Sequence, residues 1–257
     1  MLTVITHLPS PSLELCELTF LDQETIDIQK AQKEHENYCL MLEECGAKVI
    51  IHDENISLPD SVFVEDPIIV FDEIAVLTSM GVESRRKESK SMEKAFSKYR
   101  EIKRINLPAK IEGGDVLKIG KRIFVGLGER TNEEGIDALR AIIAPYGYEV
   151  ISVGVPGCLH LKTGCTALDD KTILINPSWV NSSAFEGYTQ INIPTEEPFG
   201  ANILKINEII CMNKAFPKTI ELVESLGYTV KATDITEFVK AEAGLTCMSV
   251  PFINGTD

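Results

Sequence analysis

The feature that most constrains the fold of this chain is an alternation. Short apolar runs of strand length come in close pairs, and single stretches of helical spacing fall between them. The order recurs about every 50 residues without a visible sequence repeat. Strands are expected at Thr3 to Thr6, Lys48 to His52, Pro67 to Phe71 and Ile74 to Thr78. A hairpin over Val116 to Ile119 and Ile123 to Leu127 turns at Gly120, and further strands follow at Glu149 to Val155, Lys171 to Asn176, Ile203 to Lys205, Ile209 to Met212, Tyr228 to Ala232 and Leu245 to Val250. Helices are expected over Gln23 to Cys45, Arg85 to Phe96, Asn132 to Pro145 and Pro217 to Leu226, with Gly46 and Gly227 as stops. In the first helix Ala31, His35, Tyr38 and Cys45 fall on one apolar stripe, so His35 reads as a packed residue and not a ligand. Such an order excludes a helical bundle and an all-β sandwich. No Gly/Ser tract, Pro-rich run or charge block marks a linker, so residues 1–257 read as one α/β domain.

Charge narrows the partners. Twenty-five Lys and Arg stand against 39 Asp and Glu, a net charge of −14. That balance disfavours nucleic acid and an anionic membrane surface, and suits a small cationic substrate. No apolar run approaches the roughly 18 residues of a membrane span, and no basic residue precedes Lys30 as a secretory leader would require. Seven cysteines, an odd number with no CxxC pair, argue against a disulfide framework. Four scattered histidines give no support to a zinc knuckle. The chain reads as soluble and cytoplasmic.

Several segments could carry chemistry. Gly120-Lys121 lacks the spacing and the Ser or Thr of a phosphate loop, and Gly126-Leu127-Gly128 lacks a third glycine, so both read as turns. Glu65 and Asp66 head one apolar strand, and Glu112-Gly113-Gly114-Asp115 heads another. Carboxylates at strand ends can anchor a cation, and paired glycines let backbone come close to a ligand; ordinary turn chemistry explains the same residues. His160, in a stretch bounded by Gly157 and Gly164, is either a general acid/base or a satisfied structural histidine. Cys247 follows Gly244 at the start of an expected strand, and spacing alone does not separate a nucleophile from a buried thiol there.

In combination these segments form a recognisable order: Leu58-Pro59-Asp60-Ser61-Val62-Phe63-Val64-Glu65-Asp66, Ser84-Arg85-Arg86-Lys87-Glu88, Glu112-Gly113-Gly114-Asp115-Val116-Leu117, Gly126-Leu127-Gly128-Glu129-Arg130-Thr131-Asn132, Leu159-His160-Leu161-Lys162 and Leu245-Thr246-Cys247-Met248-Ser249-Val250. From about Thr3 to Phe252 the chain resembles the dimethylarginine dimethylaminohydrolases, of the guanidino-group-modifying superfamily. The resemblance implies a pentein, a five-bladed α/β propeller of ββαβ-type modules. It implies hydrolysis of Nω-methylated arginines to citrulline and an alkylamine through a covalent cysteine thiouronium, with no metal or organic cofactor. It assigns Cys247 as nucleophile and His160 as acid/base. Asp66 and Glu112 would hold the guanidinium, with Glu65 beside them. Asp60, Arg85 and Arg130 would bind the amino-acid end, Glu242 the α-amino group, and Leu8 would lie on a flap over the pocket. The oligomeric state stays open, a homodimer included.

The chain departs from that pattern at Pro67, at Ser79-Met80 and at Glu242, where Asp is usual, and the flap from Thr6 to Leu15 matches least. Deiminases of the superfamily carry His-x-Asp, whereas here the stretch is His160-Leu161-Lys162, which favours room for N-methyl groups. The competing functions are an arginine deiminase-like guanidino hydrolase, an amidinotransferase, and a binding protein that keeps the fold without the reaction.

Overall fold

The computed structural model describes residues 1–255. In chain order come β1 (Leu2–His7), α1 (Ile28–Glu44), β2 (Lys48–His52), β3 (Ile68–Val70), β4 (Ile74–Leu77), α2 (Ser89–Phe96) and β5 (Glu101–Arg104). Next are β6 (Val116–Ile119), β7 (Arg122–Leu127), α3 (Glu133–Ile143), β8 (Glu149–Gly154), α4 (Leu161–Gly164), β9 (Cys165–Ala167), β10 (Thr172–Ile175) and β11 (Thr189–Asn192). The chain closes with β12 (Leu204–Ile206), β13 (Ile209–Asn213), α5 (Pro217–Ser225), β14 (Thr229–Thr233), α6 (Thr236–Val239) and β15 (Val250–Ile253).

These strands form five three-stranded sheets, β15-β1-β2, β3-β4-β5, β6-β7-β8, β9-β10-β11 and β12-β13-β14. Every sheet has one construction. The central strand pairs antiparallel with one neighbour, and a crossover returns the chain parallel to its other side; in four sheets the antiparallel partner directly precedes the central strand, and in the first it is β15, the last strand of the chain. A parallel neighbour needs a crossover, usually a helix, which is why one helical stretch follows each apolar pair in the sequence. α1, α2, α3 and α5 supply four crossovers, and the 3₁₀ turn Ser182–Phe185 supplies the one between β10 and β11. Two compact units divide the chain: Met1–Val64 with Ile193–Asp257, holding two sheets, and Glu65–Asn192, holding three.

Local chemistry sets several boundaries differently from the periodicity. The first helix starts at Ile28 and not near Gln23, because the Asp27 carboxylate caps it by accepting the Lys30 N–H at 3.0 Å. Gly46, at φ +87°, ends it in the left-handed region. The stretch expected as a helix from Arg85 opens as a 3₁₀ turn over Ser84–Glu88 before α2. Thr246–Met248 is a 3₁₀ turn, so Cys247 does not begin a strand; β15 starts at Val250. β5 and β11 escape the sequence reading because each carries a single apolar residue, and β9 because it has only three residues, Cys165–Ala167.

Each unit has its own core. In the first, Leu42, Tyr38, Phe238 and Leu245 are fully buried. The Tyr38 hydroxyl donates to the Leu245 carbonyl at 2.8 Å and lies 2.8 Å from the Ser249 hydroxyl. His35 lies on the buried face of α1 with Nε2 2.8 Å from the Thr6 hydroxyl, a packed residue as its spacing indicates. In the second unit one cluster of Ile, Val and Leu side chains covers Ile111, Ile123, Ile136 and Leu139. Phe124 stacks on Phe185 at 4.5 Å in another. Burial of one such side chain is worth roughly 1.5–3 kcal/mol.

Candidate active site

Two glycines build the centre of the second unit. A Cβ on Gly113 would lie 1.9 Å from the Glu65 carbonyl oxygen, and one on Gly114 2.7 Å from His160 Nδ1 and 2.8 Å from Asp66 Oδ1. The Gly-Gly pair is therefore a requirement of close approach. It lets the Glu112 segment, the Asp66 turn and the residue preceding α4 converge.

The convergence buries five charged groups. Asp66, Arg85, Glu112, Arg130 and His160 are each at most 5% exposed. His160 Nε2 lies 2.7 Å from Glu112 Oε2 and 3.9 Å from Asp66 Oδ1. Arg130 Nη1 lies 3.5 Å from Glu112 Oε2. Arg85 donates to Asp66 Oδ2 at 2.8 Å, and its other face forks onto Glu88 at 3.1 and 2.9 Å. Asp66 Oδ1 also accepts the Gly114 N–H at 3.1 Å, and Glu112 Oε1 accepts the Gly81 N–H at 2.9 Å. Each carboxylate thus has both oxygens oriented by fixed donors and keeps acceptor capacity for a further N–H.

The electrostatics follow. Burial alone would lower the His160 pKa, but Asp66, the Glu112 hydrogen bond and Asp115 outweigh it and raise the imidazole to about 9. Burial opposes ionisation of Asp66 and Glu112 as well. His160 and Arg85 overcome it at Asp66, as the His160 hydrogen bond and charge do at Glu112, and both carboxyls end below their usual range. Asp115 goes the other way: burial dominates and lifts it to about 6.

In the sequence Asp115 is one strand-end acid among several, with no role of its own. It accepts the Leu161 N–H at 2.9 Å and the Thr131 hydroxyl at 2.6 Å, so it fixes the backbone just after His160. Its signal was present in the Glu112 to Asp115 segment, but which acid faced the cluster depends on the turn. Glu88 and Thr131 stand in the sequence only as members of the ordered segments, with no role of their own. Glu65, expected beside the guanidinium, has its carboxylate ion-paired with the Lys162 ammonium.

The remaining expected residues belong to the first unit. Cys247 is buried in the 3₁₀ turn before β15. Asn202 braces that turn, accepting the Thr246 N–H at 3.3 Å and donating to the Thr246 hydroxyl at 3.1 Å. A Cβ on Gly244 would strike the Asn202 amide at 2.3 Å, which explains the glycine ahead of the cysteine. Asp60 is buried and accepts the Glu17 N–H at 3.2 Å. Glu242 sits at φ +58° and accepts three successive backbone N–H groups, from Thr19, Phe20 and Leu21. Its carboxylate thus ties down the irregular strap ahead of α1. Leu8, at the end of β1, is 41% exposed.

Among the described residues, Asp66, Glu112 and His160 place one donor atom each within 4.8 Å of one another, close enough for a metal ion. The guanidinium groups of Arg85 and Arg130 already lie on those carboxylates, so the trio behaves as an ion-pair cluster.

The five sheets of one ββαβ construction agree with known proteins. Residues 56–197 match the family model for arginine deiminase. A dimethylarginine dimethylaminohydrolase of Pseudomonas aeruginosa is 34% identical over 228 residues, covering 88% of this chain and 90% of the relative. One of Streptomyces coelicolor is 37% identical over 245 residues, covering 94% and 93%. The solved structure of the P. aeruginosa enzyme, a cysteine-to-serine mutant complexed with citrulline, superimposes with a TM-score of 0.91 at 32% identity, covering 97% of this chain and 98% of that one. The fold is the pentein of the guanidino-group-modifying proteins. Within that class, the chain belongs to the dimethylarginine dimethylaminohydrolase family.

Proposed function

We propose that this protein hydrolyses Nω-methylated arginines, asymmetric dimethylarginine and monomethylarginine, to citrulline and an alkylamine. The observation that carries the reading is the buried cluster of Asp66, Glu112 and His160, with the imidazole held protonated by its carboxylates. A guanidinium keeps its charge at any physiological pH, so a carboxylate-lined site suits it. The Arg85 guanidinium on Asp66 supports the view that this carboxylate accepts a planar cation.

In this reading Cys247 supplies the thiolate, the reactive form of the side chain. Its sulfur bonds to the guanidinium carbon and a tetrahedral adduct forms. His160 gives its proton to the departing alkylamine as the C–N bond breaks, which leaves an S-linked thiouronium. The now neutral imidazole takes a proton from water, whose oxygen bonds to the same carbon. Collapse returns the thiolate, the hydroxyl proton passes to solvent, and the ureido group of citrulline is released. Glu112 orients His160, and Asp66 with Glu112 aligns the guanidinium plane for attack. Arg85, Arg130 and Asp60 bind the amino-acid end of the substrate, Glu242 its α-amino group, Glu65 flanks the guanidinium, and Leu8 lies over the pocket. No step in this scheme calls on a cofactor.

We further propose that residues 1–257 work as one catalytic domain with a small cationic guanidino compound as substrate, in the cytoplasm. No disulfide joins any of the seven cysteines among the described residues, and no helix there is long and apolar enough to cross a membrane. The test is citrulline release from asymmetric dimethylarginine, monomethylarginine, arginine and agmatine. Turnover of the methylated substrates, lost in Cys247→Ser, supports the reading. Turnover of arginine alone moves the protein to the deiminase-like branch, and no turnover overturns the hydrolase.

A further inference from the structure

A cleft of 390 Å³ opens at the carboxyl ends of the parallel pair β4 and β5, and its lining shares no residue with the cluster above. That volume is in the range of small-molecule sites. Its apolar side is made by Leu77, Met80 and Ile105, all buried. Its polar side carries two guanidinium groups, Arg86 and Arg104.

Arg86 is the anomaly. It is half-buried, and its Nε–H donates to the Met80 carbonyl at 3.4 Å. Its two Nη groups have no acceptor among the described residues. In a chain with a net charge of −14, a half-buried guanidinium with no carboxylate on it stands out. Arg104 is ion-paired with Glu93. The serine hydroxyls along the cleft have given their protons elsewhere, Ser79 to the Ala109 carbonyl and Ser89 to the Arg86 carbonyl. The cleft therefore offers N–H donors from Arg86 beside an apolar floor.

We infer that this cleft binds a small organic anion. Its carboxylate or phosphate lies on the Nη fork of Arg86, and its carbon skeleton on Leu77 and Ile105. A guanidinium fork matches either oxyanion in a bidentate manner. The site is separate from the proposed reaction, and its test does not require turnover.

Thermal unfolding tests the assignment with succinate and glycerol 3-phosphate as probes, each compared with sodium chloride at equal ionic strength. The wild type and Lys87→Gln should show a saturable rise in Tm, about 4 °C at tenfold excess over Kd. Arg86→Gln should lose that rise while its ligand-free Tm stays near the wild-type value. Should Arg86→Gln fail to fold, Arg86→Lys keeps the charge but not the fork, and Kd should weaken about tenfold or more. The probe that responds identifies the oxyanion. The inference is overturned if neither probe exceeds chloride, or if the Arg86 variants respond as the wild type does. The latter result would put the anion on Arg85 or Arg130 instead.

Discussion

At neutral pH His160 is an acid in waiting. Its folded pKa of about 9 lies above the ordinary 6.5, so folding and proton binding favour each other. That contribution to stability is fully present below about pH 6.5 and is lost as pH rises through about 9. The difference in urea-derived stability between wild type and His160→Gln should therefore shrink across that window, and a difference independent of pH would refute the assignment. If the protonated imidazole is the acid for amine departure, kcat/KM falls above about pH 9 as well. Replacement of the Cys247 sulfur by oxygen removes an intrinsically strong nucleophile, and Cys247→Ser should lower citrulline release by at least about a thousandfold. At this scale the sequence supplied the reactive residue types but could not choose among them. Spacing sets His35 aside as a packed residue but does not choose among the other histidines or the cysteines of the loops and strands, and Cys247 and His160 stand out only through ordered segments spread over the chain.

At the scale of elements, the turns do the positioning. Gly113 is required by the Glu65 carbonyl, 1.9 Å from where its Cβ would be, and a backbone atom cannot step aside. Gly113→Ala should cost at least about 2 kcal/mol in urea unfolding. Gly120 meets nothing within 4 Å and needs only its φ of +58°, so Gly120→Ala should cost about 1 kcal/mol. Equal losses would show that crowding at Gly113 is not the reason for that glycine. The strap ahead of α1 has no regular structure, and Glu242 anchors it through three N–H groups. In Glu242→Ala the amides of residues 19–21 should exchange with solvent at least about tenfold faster, and unchanged exchange would remove Glu242 from that role. The sequence marked Glu242 as unusual. It could not show that the carboxylate reaches the strap, because the two segments are more than 200 residues apart.

For the molecule as a whole, the decisive pairing is between segments far apart in sequence. β15 completes the first sheet by pairing antiparallel with β1, with Leu2 opposite Ile253 and Ile5 opposite Val250. This registration gives every sheet the same three-stranded form, since β1 and β2 alone would leave β1 with a bare edge. Phe252 is buried on that strand, so Phe252→Ala should destabilise the protein by about 3 kcal/mol. A loss below 1 kcal/mol would mean that the closing strand contributes little.

The sequence by itself determined the alternation of strand pairs with crossovers, the apolar stripe of α1, the acidic balance and the order of the chemical segments. Local spacing and residue type are sufficient for each of these. Only the tertiary structure decided that Asp115 supports the backbone after His160, that Lys162 takes the Glu65 carboxylate, that Cys247 lies in a turn, and that His160 keeps its proton to about pH 9. Those properties depend on distances between groups dozens of residues apart and on the exclusion of water around them. Neither quantity exists along a chain until it has folded.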